Sequence, residues 1–302
     1  MQTLEVGRPL QSSFGKLGGR VGHAIAPLQR IRALFVGYPG CGKSCLIQSH
    51  PKAFIENIDC SSTTTYTPKA AIWPFIDPAT GTPCDDDGSP CILTWEKIEA
   101  KHAILKEMAK ANDPNRPETI VIDSVTGLLP LLRDYLTRKA GKTAFKELHG
   151  PTAYDDMYSI LVNTLVELHA YGYGVFLIAH VMDYSVTVDD KGGTKQIPDI
   201  NFTEGLANRL YDKLELIALV EKRTAIVKKQ DPRYPNDPRK TIDETVEVPY
   251  LTRSPSAPTL ARYIKSRVPF NPIQLPQADA WATVEAEYNR ARASVASQGV
   301  SK

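Results

Sequence analysis

Residues Gly37 to Ser44 read Gly-Tyr-Pro-Gly-Cys-Gly-Lys-Ser, a complete G-x-x-x-x-G-K-[ST] loop, and this octapeptide narrows the folds open to the chain more than any other feature. Gly37, Gly40 and Gly42 permit backbone conformations and close approaches that a Cβ would block, so successive N–H groups turn inward around an anion. Lys43 is then placed to reach the β and γ phosphates of a nucleotide. Ser44 offers a hydroxyl to Mg²⁺, and the helix that begins there aims its positive end at the phosphates. Such a loop works between a buried strand and a helix, and both are legible. Ile31-Arg32-Ala33-Leu34-Phe35-Val36 is a short apolar run of strand length, and Ser44-Cys45-Leu46-Ile47-Gln48 opens a helix that must stop before Pro51. Residues Gly37, Tyr38, Pro39, Gly40, Cys41, Gly42, Lys43, Ser44 and Cys45 are therefore the expected contacts of a nucleoside triphosphate.

The rest of the composition excludes more than it assigns. With 302 residues the chain accommodates one large α/β domain with excursions. A formal charge of +2 does not mark a nucleic-acid binder, so any such surface has to come from local clustering. Five cysteines, at 41, 45, 60, 84 and 91, form no paired C-x-x-C spacing, and neither a disulfide framework nor a zinc site is expected. Cys84 and Cys91 bracket an Asp-Asp-Asp-Gly-Ser-Pro turn that reads as a solvated loop. No apolar stretch approaches the roughly 18 residues of a membrane span, and the start Met-Gln-Thr-Leu-Glu lacks the pattern of a secretion signal. The expectation is a soluble, cytoplasmic protein with no membrane partner.

Residues 1–29 are rich in Gly, Ser and basic side chains, with Glu5 the one acid, and read as a flexible arm. After the first helix, Ala53 to Asp59 reads as a second strand, and Cys60 to Pro90, crowded with Thr, Pro, Gly and Asp, as an exposed excursion. A helix is expected over 93–112. Glu118-Thr119-Ile120-Val121-Ile122-Asp123-Ser124 then presents an acid at the end of a short β-branched strand, about 80 residues beyond the loop. That is how a Walker B element offers a carboxylate to Mg²⁺, which makes Asp123 the expected metal partner beside Ser44. A helix over 153–170 leads to a buried strand, Val175 to His180. His180 ends that strand at the nucleotide edge, where it would sense the γ-phosphate, hold a water or serve as a structural histidine. Residues 181–202 read as a polar loop, 213–221 as another strand and 222–268 as hairpins with an extended segment at 259–264. A terminal helix over 278–294 carries Trp281, in a helical tail spanning 271–302.

The order of these elements, with GYPGCGKS, TIVIDSVTGLL, VFLIAH and ARYIKSRVPF as its most specific parts, resembles RecA-type ATPases across residues 31–270. More narrowly it resembles the bacteriophage RecA-like AAA family ATPases of the single-strand-annealing recombinase group. The resemblance implies a domain over 30–270 with a central, mainly parallel sheet flanked by helices and extra C-terminal strands or a hairpin. It implies ATP and Mg²⁺ as cofactors and a homo-oligomer with ATP at subunit interfaces. Lys265 and Arg267 match a K-x-R element whose cations reach the neighbour's γ-phosphate. A catalytic acid is expected just after the second strand, where this chain offers Glu56 within the strand and Asp59 at its end. Strand alternation puts the two on opposite faces, so one at most meets the γ-phosphate. Single-stranded DNA would be held by two loops. The first, 133–150, carries Arg133, Arg138, Lys139, Lys142 and Lys146 with Tyr135 and Phe145; the second, 181–202, carries Tyr184, Lys191 and Lys195. The implied function is DNA-stimulated ATP hydrolysis serving annealing or recombination in phage replication or repair, in the host cytoplasm. The alternative is an ATP-dependent switch or loading factor that acts through a partner helicase, a single-strand-binding protein or another replication protein.

Overall fold

The computed structural model describes residues 25–299 apart from 61–67, 149, 188–193, 235–236, 238, 257 and 277, together with residues 8–9 and 20–21. Ten strands form one mixed sheet. They are β1 (Arg32–Gly37), β2 (Ala53–Asn57), β3 (Ala71–Trp73), β4 (Thr119–Asp123), β5 (Gly174–Thr187), β6 (Thr194–Ile200), β7 (Leu216–Gln230), β8 (Thr241–Thr252), β9 (Lys265–Ser266) and β10 (Ile273–Gln274). Along the sheet the order is β10-β8-β7-β1-β5-β4-β2-β3, with β6 added to β5 and β9 to β7. Every neighbour from β7 to β3 is parallel. The antiparallel pairs are β7 with β8, β8 with β10, β5 with β6 and β7 with β9.

A parallel sheet survives only when both faces are covered, and the residues of β1 show how this one is. Leu34 and Val36 face one apolar layer with Trp95, Ile98, Leu128, Leu132 and Leu161. Ala33 and Phe35 face the other, with Leu46, Ile47, Trp281 and Val284. The first layer comes from α2 (Trp95–Lys110), α3 (Val125–Lys139), α4 (Gly150–Ala170) and α5 (Glu204–Tyr211); the second from α1 (Lys43–Gln48) and α7 (Ala280–Gly299). Between α5 and α7 lies α6 (Pro258–Ala261). Trp281 is buried, and its ring stacks on His50 with centroids 3.9 Å apart, which fixes α7 against the end of α1. Central strands are thus apolar on both sides, as sequence reading expects of a P-loop α/β sheet. Among the described residues no helix is long and apolar enough to cross a membrane.

Four local expectations are corrected. Within 181–202, expected as a polar loop, residues 181–187 and 194–200 are strands: β5 runs on to Thr187 and pairs with β6 from Thr194↔Thr187 to Ile200↔Val181, while 188–193 lie outside the described residues. Val181, Val186, Thr187, Thr194, Ile197 and Ile200 supply strand propensity, and a solvated hairpin needs no continuous apolar run. The segment 133–150 is not one loop: α3 continues to Lys139, because Leu128, Leu129, Leu132 and Leu136 extend its helical stripe, a single 3-10 turn spans Phe145–Glu147, and α4 begins at Gly150. Residues 259–264 begin as the short helix α6 instead of an extended stretch, Pro258 being preset for a first helical turn. The 60–90 excursion is not wholly exposed. Within it, β3 joins the sheet edge and Trp73 and Cys84 are buried, while 61–67 lie outside the described residues.

Candidate nucleotide-binding site

The phosphate loop follows β1 at the carboxyl edge of the parallel strands, flanked by His180 midway along β5 and by Leu219 near the start of β7. Gly40 and Gly42 adopt φ of 72° and 104°, conformations that side chains rarely take. Gly37 is required for space: a Cβ there would overlap the Val220 carbonyl and lie 2.6 Å from the Cys41 sulfur. Tyr38, Pro39, Gly40 and Ser44 are exposed, Cys45 is half-buried, and Cys41 and Lys43 are buried. Lys43 Nζ donates to the carbonyls of Gly37 at 2.7 Å and Tyr38 at 2.8 Å, and lies 3.7 Å from Cys41 Sγ. Burial lowers its pKa, while Cys41, Asp123 and Asp59 pull it back up.

Asp123 ends β4, two strands from β1, with β5 between them. Burial, then the nearby Asp59 carboxylate, pushes its pKa up to about 6 against the pull of Lys43, His180 and a hydrogen bond to Ser44. Asp59 stands just beyond β2, and its amide and that of Ile58 donate to the Asp123 carbonyl at 3.3 and 2.6 Å. Burial raises the Asp59 carboxyl, but hydrogen bonds from His180 and Ser124 outweigh it and hold the group below its usual range. His180 Nε2 is 3.4 Å from Asp59 Oδ2, and His180 is the register partner of Gly37. Loop lysine, Ser44, both aspartates and His180 therefore converge on one edge of the sheet. Ser44 and Asp123 fit a divalent cation: both are hard oxygen donors, close enough for Ser44 to lower the Asp123 pKa, and the second carboxylate nearby leaves negative charge for Mg²⁺ to answer.

Glu56 goes elsewhere. It is fully buried on the α2 face, with Oε1 at 2.6 Å from His102 Nε2 and Oε2 without a partner. Of the two acids near the end of β2, Asp59 is the one that meets the loop. Glu56→Gln is expected to lower stability by about 1 to 3 kcal/mol through the weakened buried contact, with turnover per folded molecule within about twofold of wild type. Chemical denaturation alongside phosphate release checks both halves.

Lys265 and Arg267 do not join this cluster in the same chain. Lys265 and Ser266 pair with Ile217 and Leu216, which lie beside the first half of β1, away from Gly37. Lys265 Nζ donates to the Tyr211 carbonyl at 2.8 Å; Arg267 is exposed. The two basic regions are also more selective than the sequence suggests. The Arg133 guanidinium lies 5.8 and 5.5 Å from the Phe145 and Tyr154 rings, with Nε buried. Arg138 Nη2 donates to both Glu96 oxygens at 2.8 and 2.9 Å. Lys139, which stands 5.4 Å over the Tyr135 ring, and Lys142 and Lys146 point outward. On the β5–β6 pair Tyr184 and Lys195 are exposed, and Lys191 lies outside the described residues.

Three residues of the site escape motif reading. Asp183 accepts from Tyr38 Oη at 2.5 Å, and the Tyr38 phenol is pushed up to about 12, by burial first and then by Asp183. Ser124 and Gly127 meet Asp59 at the start of α3. A serine before an apolar helical run is a readable N-cap, but nothing in the sequence says that this cap also meets a carboxylate from another strand.

A family model described as AAA domain matches residues 29–246. No curated protein matches the chain. Among solved structures, the KaiC-like protein of the hyperthermophilic archaeon Pyrococcus horikoshii OT3 aligns at 11% identity and a TM-score of 0.33, over 76% of this chain and 88% of that one. The family match takes in the loop, both aspartates and His180, most of the chain in all, and with it this protein belongs to the AAA domain family as a P-loop ATPase.

Proposed function

We propose that this ATPase binds single-stranded DNA and promotes annealing or recombination in phage DNA replication or repair, working in the host cytoplasm as a homo-oligomer with ATP between subunits. The observation that carries the reading is the reach of one strand. β5 holds His180 against Asp59, bonds Tyr38 of the phosphate loop through Asp183, and continues into its antiparallel pairing with β6, where Tyr184 and Lys195 are exposed. A polymer gripped on that strand pair would act directly on the geometry around the nucleotide. Outward-facing Lys139, Lys142 and Lys146 offer a second set of phosphate contacts. Lys265 and Arg267, remote from their own loop, suit a role toward a neighbouring subunit.

The test compares wild type with Lys142→Ala/Lys146→Ala/Lys195→Ala for single-strand affinity and DNA-stimulated hydrolysis over a salt series. Losing three phosphate contacts is expected to flatten the slope of log affinity against log salt by about 2. Stimulation at fixed DNA falls with it. Hydrolysis by wild type that ignores DNA at every salt concentration would instead favour a switch acting through a partner replication protein.

A further inference from the structure

We propose that Gly127 is a positioning residue for ATP turnover, its missing side chain letting the Asp59 carboxylate seat against the first turn of α3. This rests on the ATPase reading and on Asp59 as the carboxylate that orients the attacking water. Gly127 lies in the first turn of a 15-residue helix, and its N–H donates to the capping Ser124 Oγ at 3.2 Å. Ser124 also acts on Asp59, its hydroxyl and amide being among the groups that hold the Asp59 carboxyl below its usual range. Asp59 Oδ1 occupies the space a Cβ at 127 would take, and the methyl of Ile58 would stand 3.1 Å from that Cβ. Asp59 Oδ2 faces His180 Nε2 at 3.4 Å. The carboxylate is thus bounded by a histidine on one oxygen and a bare Cα on the other.

The arrangement explains a glycine that the helix itself does not want. Gly127 has no left-handed φ, so nothing in the backbone requires it, and glycine is a poor helix former. What requires it is the neighbouring acid. An aspartate has one methylene fewer than glutamate, so its carboxylate stays close to its own backbone and must find its place near the start of α3. Any side chain at 127 pushes that carboxylate away from Ser124, and with it the geometry toward the nucleotide edge shifts. Because displacements well under 1 Å matter to an oriented water, the effect falls on turnover more than on binding.

The experiment is a cycle of Gly127→Ala, Asp59→Ala and the double variant in the full chain, read by single-turnover ATP hydrolysis, affinity for a fluorescent ATP analogue, and melting temperature. Expected results are a loss of hydrolysis of about tenfold or more in Gly127→Ala with analogue affinity within about twofold. The double variant should hydrolyse no more slowly than Asp59→Ala alone, since two residues acting through one group are not additive. If Gly127→Ala folds poorly, the double variant, which lacks the overlapping oxygen, should regain a melting temperature at or above that of Asp59→Ala. Wild-type hydrolysis in Gly127→Ala, losses that multiply in the double variant, or a double variant that stays unfolded would each overturn the proposal. Wild-type hydrolysis in Asp59→Ala would sink the underlying assignment of Asp59, while loss in Asp59→Ala with none in Gly127→Ala would sink the positioning role alone.

Discussion

Lys43→Ala loses at least about 100-fold in ATP hydrolysis, on the scale of removing one preorganised charge from a transition state. The ammonium is buried and anchored to the Gly37 and Tyr38 carbonyls, so its position is set by the loop before any phosphate is engaged. Alanine removes a buried cation near Asp59 and Asp123, and no other residue of the loop carries a positive charge. Two carbonyls lose a donor, that of Gly37 in the buried part of the loop, so stability should fall by about 1 to 3 kcal/mol and the melting temperature by several degrees. Steady-state phosphate release checks the first effect and calorimetry the second. An alanine variant that hydrolyses within tenfold of wild type would remove Lys43 from the chemistry.

Asp123→Asn has two effects of opposite sign. Hydrolysis that depends on Mg²⁺ falls by about 100-fold or more, because the amide brings no charge to the cation beside Ser44. Folding stability in metal-free buffer rises. Burial and the neighbouring Asp59 carboxylate push the Asp123 carboxyl up to about 6 in the fold, from an ordinary carboxylate value of about 4. A raised acid binds its proton more tightly when folded, so ionising it costs stability. The cost is absent below the unfolded value, grows as pH climbs from about 4 to about 6, and is complete above that. Asparagine escapes it, by on the order of 1 to 3 kcal/mol at neutral pH. Denaturation of both forms with chelator at pH 7.5 and pH 4 measures the difference, which should shrink toward the acid end. A stability gain unchanged between the two pH values would mean that burial of the Asp123 charge is not its source.

The parts of this architecture that were legible in the sequence share a physical cause. β1, β4 and the buried half of β5 lie under helices on both faces, so they must be apolar throughout and they stand out as short runs. The loop glycines were legible because backbone geometry at 40 and 42 excludes other residues. What was not legible depends on pairing across distance. The β5–β6 hairpin is wet, so its strands carry polar residues and resemble a loop. Arg133 and Arg138 read as free cations because sequence cannot show that Phe145, Tyr154 and Glu96 take them up. Glu56 lies within β2 and Asp59 in the turn beyond its end, so the strand alternation expected to separate them does not extend to Asp59, and only the contact with His102 told which acid was occupied.

The neighbours of β1 carry a consequence for how the chain is made. Arg32 pairs with Val175 and Ala33 with Leu216, so the strand that launches the phosphate loop is completed by residues synthesised far later. Contacts of such long sequence separation form late and slowly. On the ribosome the loop would emerge early yet stay without its scaffold until β7 is translated, and until then its apolar strand is open to mispairing. A fragment ending before Leu216 carries the complete octapeptide but not the edge that shapes it, and should bind no nucleotide.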